Sequence, residues 1–173
     1  MFITIIFEKV LLLIDNISQK KNFIYIKTLL GGKINIFFDV GFHKGETSLL
    51  ANKFFEISEI HAFEPNEECI KFDKKIGFKN VIINNVGVGE KKCIKKFRKN
   101  AFSQINSFKS FDEKNKYTKI KKIILKLLFL KNIKNTYRYV KIIELNNYCF
   151  KNKINRIDIL KIDAEGSELD VLK

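Results

Sequence analysis

The chain has 173 residues, of which 46% are hydrophobic and 30% charged, and a formal net charge of +14. This length fits one domain around a single core, and this composition excludes a wholly disordered chain. Only three of the 33 basic residues are arginines, so the charge favours a compositional bias over a selected polyanion site, and a nucleic-acid partner is not expected.

Residues 1–33 are predicted to form a helical segment ahead of the main domain. Residues 2–30 place apolar side chains at helical spacing, and Gly31 and Gly32 end the pattern. The apolar start contains Glu8 and Lys9 and lacks a basic n-region and a cleavage site, so neither a signal peptide nor a spanning helix is predicted. We therefore expect a cytoplasmic protein.

From residue 34 onwards, strand and helix patterns alternate. Near-continuous apolar runs predict strands buried on both faces at 34–41, 59–65, 80–88 and 156–163. Helical patterns with polar starts lie over 44–56 and 66–77. This alternation predicts an α/β fold with a mostly parallel sheet and helices on both faces.

The region from 90 to 150 breaks this rhythm. Residues 91–99 and 137–146 are predicted to be strands of a hairpin-like, antiparallel addition. Between them lies a basic segment, 109–138, in which one helical face is apolar: Ile120, Ile123, Ile124, Leu127 and Leu130. We favour a helix that covers the sheet or the mouth of a site over a membrane-surface or acidic-partner helix.

The end of the first strand, "FFDVGFHKGETS", carries the first chemical signal. Gly41 and Gly45 allow a tight turn at the carboxyl end of a strand, where open α/β sheets bind ligands. The spacing D-x-G-x-x-x-G differs from the G-x-G-x-x-G of pyrophosphate sites, which weighs against NAD and FAD. Glu64, 25 positions after Asp39, ends the second strand, where a carboxylate can bind ribose hydroxyls. The pair favours a nucleoside ligand without pyrophosphate, of which S-adenosylmethionine is the commonest.

Several motifs, in the right order, resemble the FkbM-type S-adenosylmethionine-dependent methyltransferases over about residues 34–173. The most specific is "IDILKIDAEGSELDVLK" at the end of the chain, and the others are "FFDVGFHKGETS", "AFEPN", "INNVGVGE", "NSF" and "VKIIELNNY". The resemblance implies a Rossmann-like class I methyltransferase domain over 34–173. Asn146 and Asn147 stand where the family usually has Asp, and Gly87 where it usually has Ala.

Carried over by position, the resemblance also implies a set of site residues. Glu64 would hold the ribose, Asn66 and Asn85 would lie near ribose and adenine, and Asp163 and Glu165 would line the reacting face beside the cofactor. The methionine moiety would be surrounded by Asp39, Gly41, His43, Gly45 and Thr47.

Methyl transfer from a sulfonium is an in-line displacement, so the enzyme must align an acceptor and remove its proton. Asp163 is the first candidate for the base, with Glu165 as its orienting partner and His43 as the second candidate. An alternative role for the two acids is to stabilise a helix start. His61, inside a predicted strand, is expected to be a hydrogen-bonded core residue. Two histidines and three scattered cysteines predict reduced thiols and no metal site.

In the family, the helix that begins at "GSELDVLK" leads to a fifth strand and an antiparallel pair. This chain ends at Lys173, so we expect a sheet that lacks its last strands and exposes the fourth strand as an edge. Such an edge invites a second copy or a complementing chain.

The leading functional prediction is a methyltransferase that O-methylates a hydroxyl of a sugar or other small metabolite, that is, a small-molecule or glycan acceptor. The first alternative is a non-catalytic, truncated remnant that only binds the cofactor. The less favoured alternative is a basic protein that binds or methylates nucleic acid.

Overall fold

A computed structural model of the chain describes residues 17–70, 78–99, 136–164 and 166–173. In chain order its elements are α1 (residues 17–30), β1 (Lys33–Val40), α2 (Glu46–Phe54), β2 (Glu56–Phe63), α3 (Glu67–Ile70), β3 (Val81–Asn84), β4 (Gly87–Val88), β5 (Cys93–Lys99), β6 (Thr136–Ile143), α4 (Leu145–Lys151), β7 (Ile159–Ile162) and α5 (Glu168–Leu172).

Within the described residues, the central sheet has four parallel strands in the order β3-β2-β1-β7. β1 lies inside it, with Phe38 paired to His61 of β2 on one side and to Leu160 of β7 on the other. The apolar run of β1 suits this position, because a parallel strand covered on both faces has no side that needs polar residues. The predicted parallel sheet is therefore confirmed.

Helices cover both faces of this sheet, as predicted. On one face, Phe23 of α1 and Leu50 and Ala51 of α2 pack with Phe37 and Ile60. On the other face, the core is built around strand residues and the helices α4 and α5: Phe38, Val40, Phe63, Val171, with Leu145, Tyr148 and Cys149 packed against them. Apolar residues on both sides of β1, β2 and β7 thus hold two helical layers on one sheet.

A second, three-stranded sheet has the order β4-β6-β5. β5 and β6 are antiparallel, with Cys93 opposite Ile142, which confirms the predicted antiparallel pair. The strand predicted over 80–88 is wrong as one element. It divides into β3 and β4 in different sheets, because the chain turns where Val86 N–H donates to the Asn84 carbonyl at 2.9 Å.

Two further predictions concern the region after β5. The amphipathic pattern around 120–130 lies outside the described residues. The strand predicted over 137–146 ends at Ile143, and residues from Leu145 form α4 instead. Among the helices of the described ranges, none has the length and apolar content that crossing a membrane requires. Residues 1–16 of the predicted N-terminal segment also lie outside the described ranges.

Candidate functional site

The predicted site residues that are described meet at the carboxyl edge of the central sheet. The turn 41–45 follows β1, Glu64 follows β2, Asn85 follows β3 and Asp163 follows β7. Parallel strands bring these positions to one edge because all of their carboxyl ends point the same way. The sheet therefore assembles residues that are up to 122 positions apart in the chain.

The turn after β1 is left-handed at three positions, with φ of 81° at Gly41, 52° at His43 and 83° at Gly45. Its amide groups are all bonded within the protein. Gly41 and Phe42 donate to the Phe63 carbonyl, His43 to Glu64, Lys44 to Glu46, and Gly45 to the Phe42 carbonyl. Phosphate sites use free amides of such a turn as donors. This turn, in contrast, has none of its amides aimed at an anionic ligand.

Glu64 is a buried carboxylate fixed by two backbone donors. Its side chain lies at the tip of β2 and is 7% exposed. Oε2 accepts the His43 N–H at 2.8 Å and Oε1 accepts the Asn66 N–H at 2.8 Å. Burial raises the pKa of Glu64 above its usual value, although the two N–H groups oppose this change. Each oxygen keeps a further lone pair with which it can accept a hydroxyl hydrogen.

The residues around Glu64 are also held by hydrogen bonds. Asn66 is 2% exposed; its amide nitrogen donates to Cys69 Sγ at 3.2 Å and its oxygen accepts the Glu68 N–H at 3.2 Å. Asn85 donates from Nδ2 to the Glu64 carbonyl at 2.9 Å. Both asparagines therefore contact Glu64, Asn66 through its backbone N–H at the carboxylate and Asn85 through its side chain at the backbone carbonyl.

His43 and Glu46 form a second acidic element of the turn. His43 Nδ1 lies 3.0 Å from Glu46 Oε1 and 3.1 Å from Oε2. Burial acts to raise the pKa of Glu46, but the hydrogen bond and charge of His43, together with the backbone N–H groups of Glu46 and Lys44, lower the pKa overall. Thr47, one position further, is 7% exposed in the first turn of α2. Glu46 was not singled out from the sequence, although it opens a helix, where acids are common.

Asp39 lies beneath this turn and is fully buried. Oδ2 accepts the hydroxyl of Ser48 at 2.6 Å, and Oδ1 lies 2.9 Å from the ammonium of Lys161. Lys161 also donates to the Gly41 carbonyl at 2.8 Å. Sequence reasoning missed Lys161, whose one signal was a charged residue inside the otherwise apolar strand "ILKI".

Asp163 directly follows the last residue of β7. Its side chain is 62% exposed, with Oδ2 3.9 Å from Lys161 Nζ, while its N–H donates to the Val40 carbonyl at 2.9 Å. A backbone hydrogen bond thus holds the main chain of Asp163 at the end of β1, while its carboxylate stays exposed. Glu165 lies outside the described residues.

The remaining titratable residues behave as core or surface groups. His61 is 3% exposed, with Nδ1 2.8 Å from the Tyr148 hydroxyl and Nε2 3.1 Å from Glu59, so its predicted core role is confirmed. The three cysteines are unpaired. In the part of the chain that the structure describes, no group of three or more His, Cys, Asp or Glu side chains could hold a metal ion.

The residues of this edge lie within a region that a known protein family matches. The model of the Methyltransferase FkbM domain family matches residues 39–173. A solved structure, methyltransferase FkbM from Methylobacillus flagellatus KT, is similar to the chain at 16% sequence identity and a TM-score of 0.47. The match covers 84% of this chain and spans 30% of that protein. No curated protein shows significant similarity.

Proposed function

The chain belongs to the FkbM methyltransferase family, and from that premise we propose that it binds S-adenosylmethionine and methylates a hydroxyl of a sugar or another small metabolite. When bound, S-adenosylmethionine supplies a methyl group on a positively charged sulfur. The proposal concerns the edge of the central sheet formed by the turn 41–45, Glu64 and Asp163.

The buried carboxylate of Glu64 is the observation that carries the proposal. Backbone N–H groups of His43 and Asn66 fix both of its oxygens, so the carboxylate cannot swing away from the edge of the sheet. A carboxylate fixed at the tip of the second strand can accept two hydroxyl hydrogens of a ribose. Asn66 and Asn85 would lie beside that ribose and its base.

The turn after β1 supports a ligand without phosphate. Its amides bond within the protein, and Glu46 and Glu64 place negative charge around it. Negative charge repels a pyrophosphate and attracts the amino and sulfonium groups of S-adenosylmethionine. Gly41, His43, Gly45 and Thr47 would surround the methionine moiety, and buried Asp39 would support the turn from below.

Asp163 is the proposed general base for the acceptor. Its carboxylate is exposed at the end of β7, where an acceptor hydroxyl can reach it, and it can take the hydroxyl proton as the oxygen becomes methylated. His43 is the second candidate, and Glu165 is proposed as the orienting partner of Asp163 by resemblance. The acceptor must align with the methyl group for an in-line displacement.

Calorimetric titration with S-adenosylmethionine tests the proposed ligand. We expect saturable binding by the wild type and affinity lower by about tenfold or more for Glu64→Gln, because Gln cannot accept two backbone N–H groups and two hydroxyls. The matched control is Glu56→Gln, at the exposed start of the same strand, where no change is expected. NAD, a pyrophosphate ligand, should not bind. Absence of heat with the wild type would contradict the proposal.

Turnover then tests the reaction. Labelled methyl transfer to a panel of sugars should be seen with the wild type and lost with Asp163→Asn, while S-adenosylmethionine affinity is kept. Binding without transfer to any hydroxyl acceptor would leave a protein that only binds the cofactor.

A further inference from the structure

Lys161 joins the two halves of the candidate site. Its side chain extends from β7, the last strand of the sheet in the described ranges, and is 19% exposed. The ammonium contacts Asp39 Oδ1 at 2.9 Å and the Gly41 carbonyl at 2.8 Å, and lies 3.9 Å from Asp163 Oδ2. The ammonium of Lys161 thus lies close to Asp39 beneath the turn, to Gly41 in the turn and to the proposed base Asp163.

The buried carboxylate of Asp39 depends on this cation. Asp39 has no exposed surface, and its other oxygen is already bonded to Ser48. A buried carboxylate without a compensating charge is strongly destabilising. Lys161 therefore places a compensating positive charge beside the buried Asp39 carboxylate.

The Gly41 carbonyl is the second anchor. The turn and the end of β7 already approach closely, since the Asp163 N–H donates to the Val40 carbonyl at 2.9 Å and a side chain at position 41 would overlap the Asp163 carbonyl. The bond from Lys161 orients the peptide that enters this crowded turn. A change at Lys161 should therefore be felt at both Gly41 and Asp163.

Lys161 itself does not serve as a proton acceptor. Burial acts to lower the pKa of Lys161, but the charges of Asp39 and Asp163 and the hydrogen bond that Lys161 donates to Asp39 raise the pKa overall. The side chain is an ammonium donor at neutral pH, which suits a group that holds carbonyl and carboxylate oxygens in place.

We propose that Lys161 is the positioning residue of this site: it holds the turn at Gly41 and the carboxylate of Asp163 at a fixed separation, so that the methyl donor and the acceptor base face each other. The inference rests on the proposed function for the identity of the ligand. A purely structural role would require the ion pair with Asp39 alone, and not the bond to the Gly41 carbonyl.

Neutral variants separate these two roles. Lys161→Met leaves the Asp39 charge uncompensated and should lower stability, whereas Asp39→Asn with Lys161→Met removes both charges and should recover it. Asp39→Asn and the double variant differ only at Lys161, and both carry a neutral residue at position 39. Their comparison therefore isolates the effect of Lys161 even if Lys161→Met alone does not fold. Lys141→Met, at an exposed position of β6, is the matched control.

Two readouts are measured on these variants. We expect the double variant to bind S-adenosylmethionine about tenfold more weakly than Asp39→Asn, because the Gly41 carbonyl has lost its donor. Hydrogen exchange at the Gly41 and Asp163 amides should be about tenfold faster in the double variant. The amide of Glu56, which donates to Gly32 at the opposite end of the sheet, should exchange as in the wild type.

Equal affinity and equal exchange in Asp39→Asn and the double variant would overturn the positioning role. A wild type that does not bind S-adenosylmethionine would contradict the proposed function instead. In that case the exchange rates at Gly41 and Asp163 still decide whether Lys161 positions the two segments.

Discussion

Gly41 lies with its backbone directly against the carbonyl group of Asp163. A Cβ atom built on Gly41 would overlap the Asp163 carbonyl oxygen, and the residue has φ of 81°, a conformation that disfavours side chains. The contact joins the turn after β1 to the end of β7, so the two segments of the candidate site share one rigid junction.

Gly41→Ala should therefore lower the free energy of unfolding by about 2–5 kcal/mol, the sum of left-handed strain and overpacking. Urea unfolding measures this change. The control is Gly31→Ala, which has a similar φ of 78° but nothing within 4 Å of the added Cβ. That variant should lose only about 1–2 kcal/mol. Equal losses in the two variants would contradict the backbone contact.

Tyr148→Phe should lower the free energy of unfolding by about 1–3 kcal/mol, because the buried His61 and the partly buried Asn84 each lose a hydrogen-bond partner. The Tyr148 hydroxyl lies 2.8 Å from His61 Nδ1 and 3.1 Å from Asn84 Nδ2. Thermal or urea unfolding checks this value. Tyr139→Phe, at a side chain that is 77% exposed, should change nothing measurable. A Tyr148→Phe variant as stable as Tyr139→Phe would refute the network.

Asp158→Asn should destabilise the protein by about 1–3 kcal/mol at neutral pH. Asp158 Oδ2 accepts the N–H groups of Asn35 and Ile36 and so holds the start of β7 against β1. Hydrogen bonds from the Ile36 N–H and then the Asn35 N–H, together with the charge of Arg156, lower the pKa of Asp158 below its usual value.

The lowered pKa of Asp158 determines how the effect of this substitution depends on pH. A carboxyl with a lowered folded pKa contributes stability above its unfolded pKa and loses it as pH falls through the folded pKa. The difference between wild type and Asp158→Asn, measured by unfolding from pH 7 to pH 2, should therefore shrink below about pH 3.8. A difference that grows towards acid pH would be the opposite result.

The cysteines should differ widely in reactivity. Cys69 is 2% exposed, and burial together with the charge of Glu64 raises the pKa of its thiol to about 12. Cys93 is exposed. At pH 8 a disulfide reagent should modify Cys93 at least about 100-fold faster than Cys69, because the thiolate is the reactive form. Peptide mass spectrometry assigns the two rates, and similar rates would show that Cys69 is accessible.

The sequence predicted the central sheet well because buried parallel strands leave near-continuous apolar runs such as "INIFF". It failed where tertiary pairing decides the outcome. The run 80–88 looks like one strand, but β4 leaves the central sheet to pair with β6. The helix α4 begins two residues after β6 ends, and no Gly or Pro separates them. The sequence therefore carries no turn signal at the change from strand to helix.

The candidate site was predicted in outline and not in its contacts. Glu64 could be assigned to a strand tip by position, but its bond to the His43 N–H depends on the left-handed backbone of that turn. Lys161 was not singled out from the sequence. Its contact with Asp39 arises from the pairing of β1 and β7, which are far apart in sequence.

The most direct test of ligand binding at this edge is an amide chemical-shift titration of the full chain with S-adenosylmethionine. We expect saturable shifts at His43 and Asn66, whose N–H groups bond to Glu64, and at Asp163, with no shift at exposed Tyr139 of β6. Unchanged amides at His43, Asn66 and Asp163 at saturating ligand, or shifts confined to β5 and β6, would contradict the proposed site.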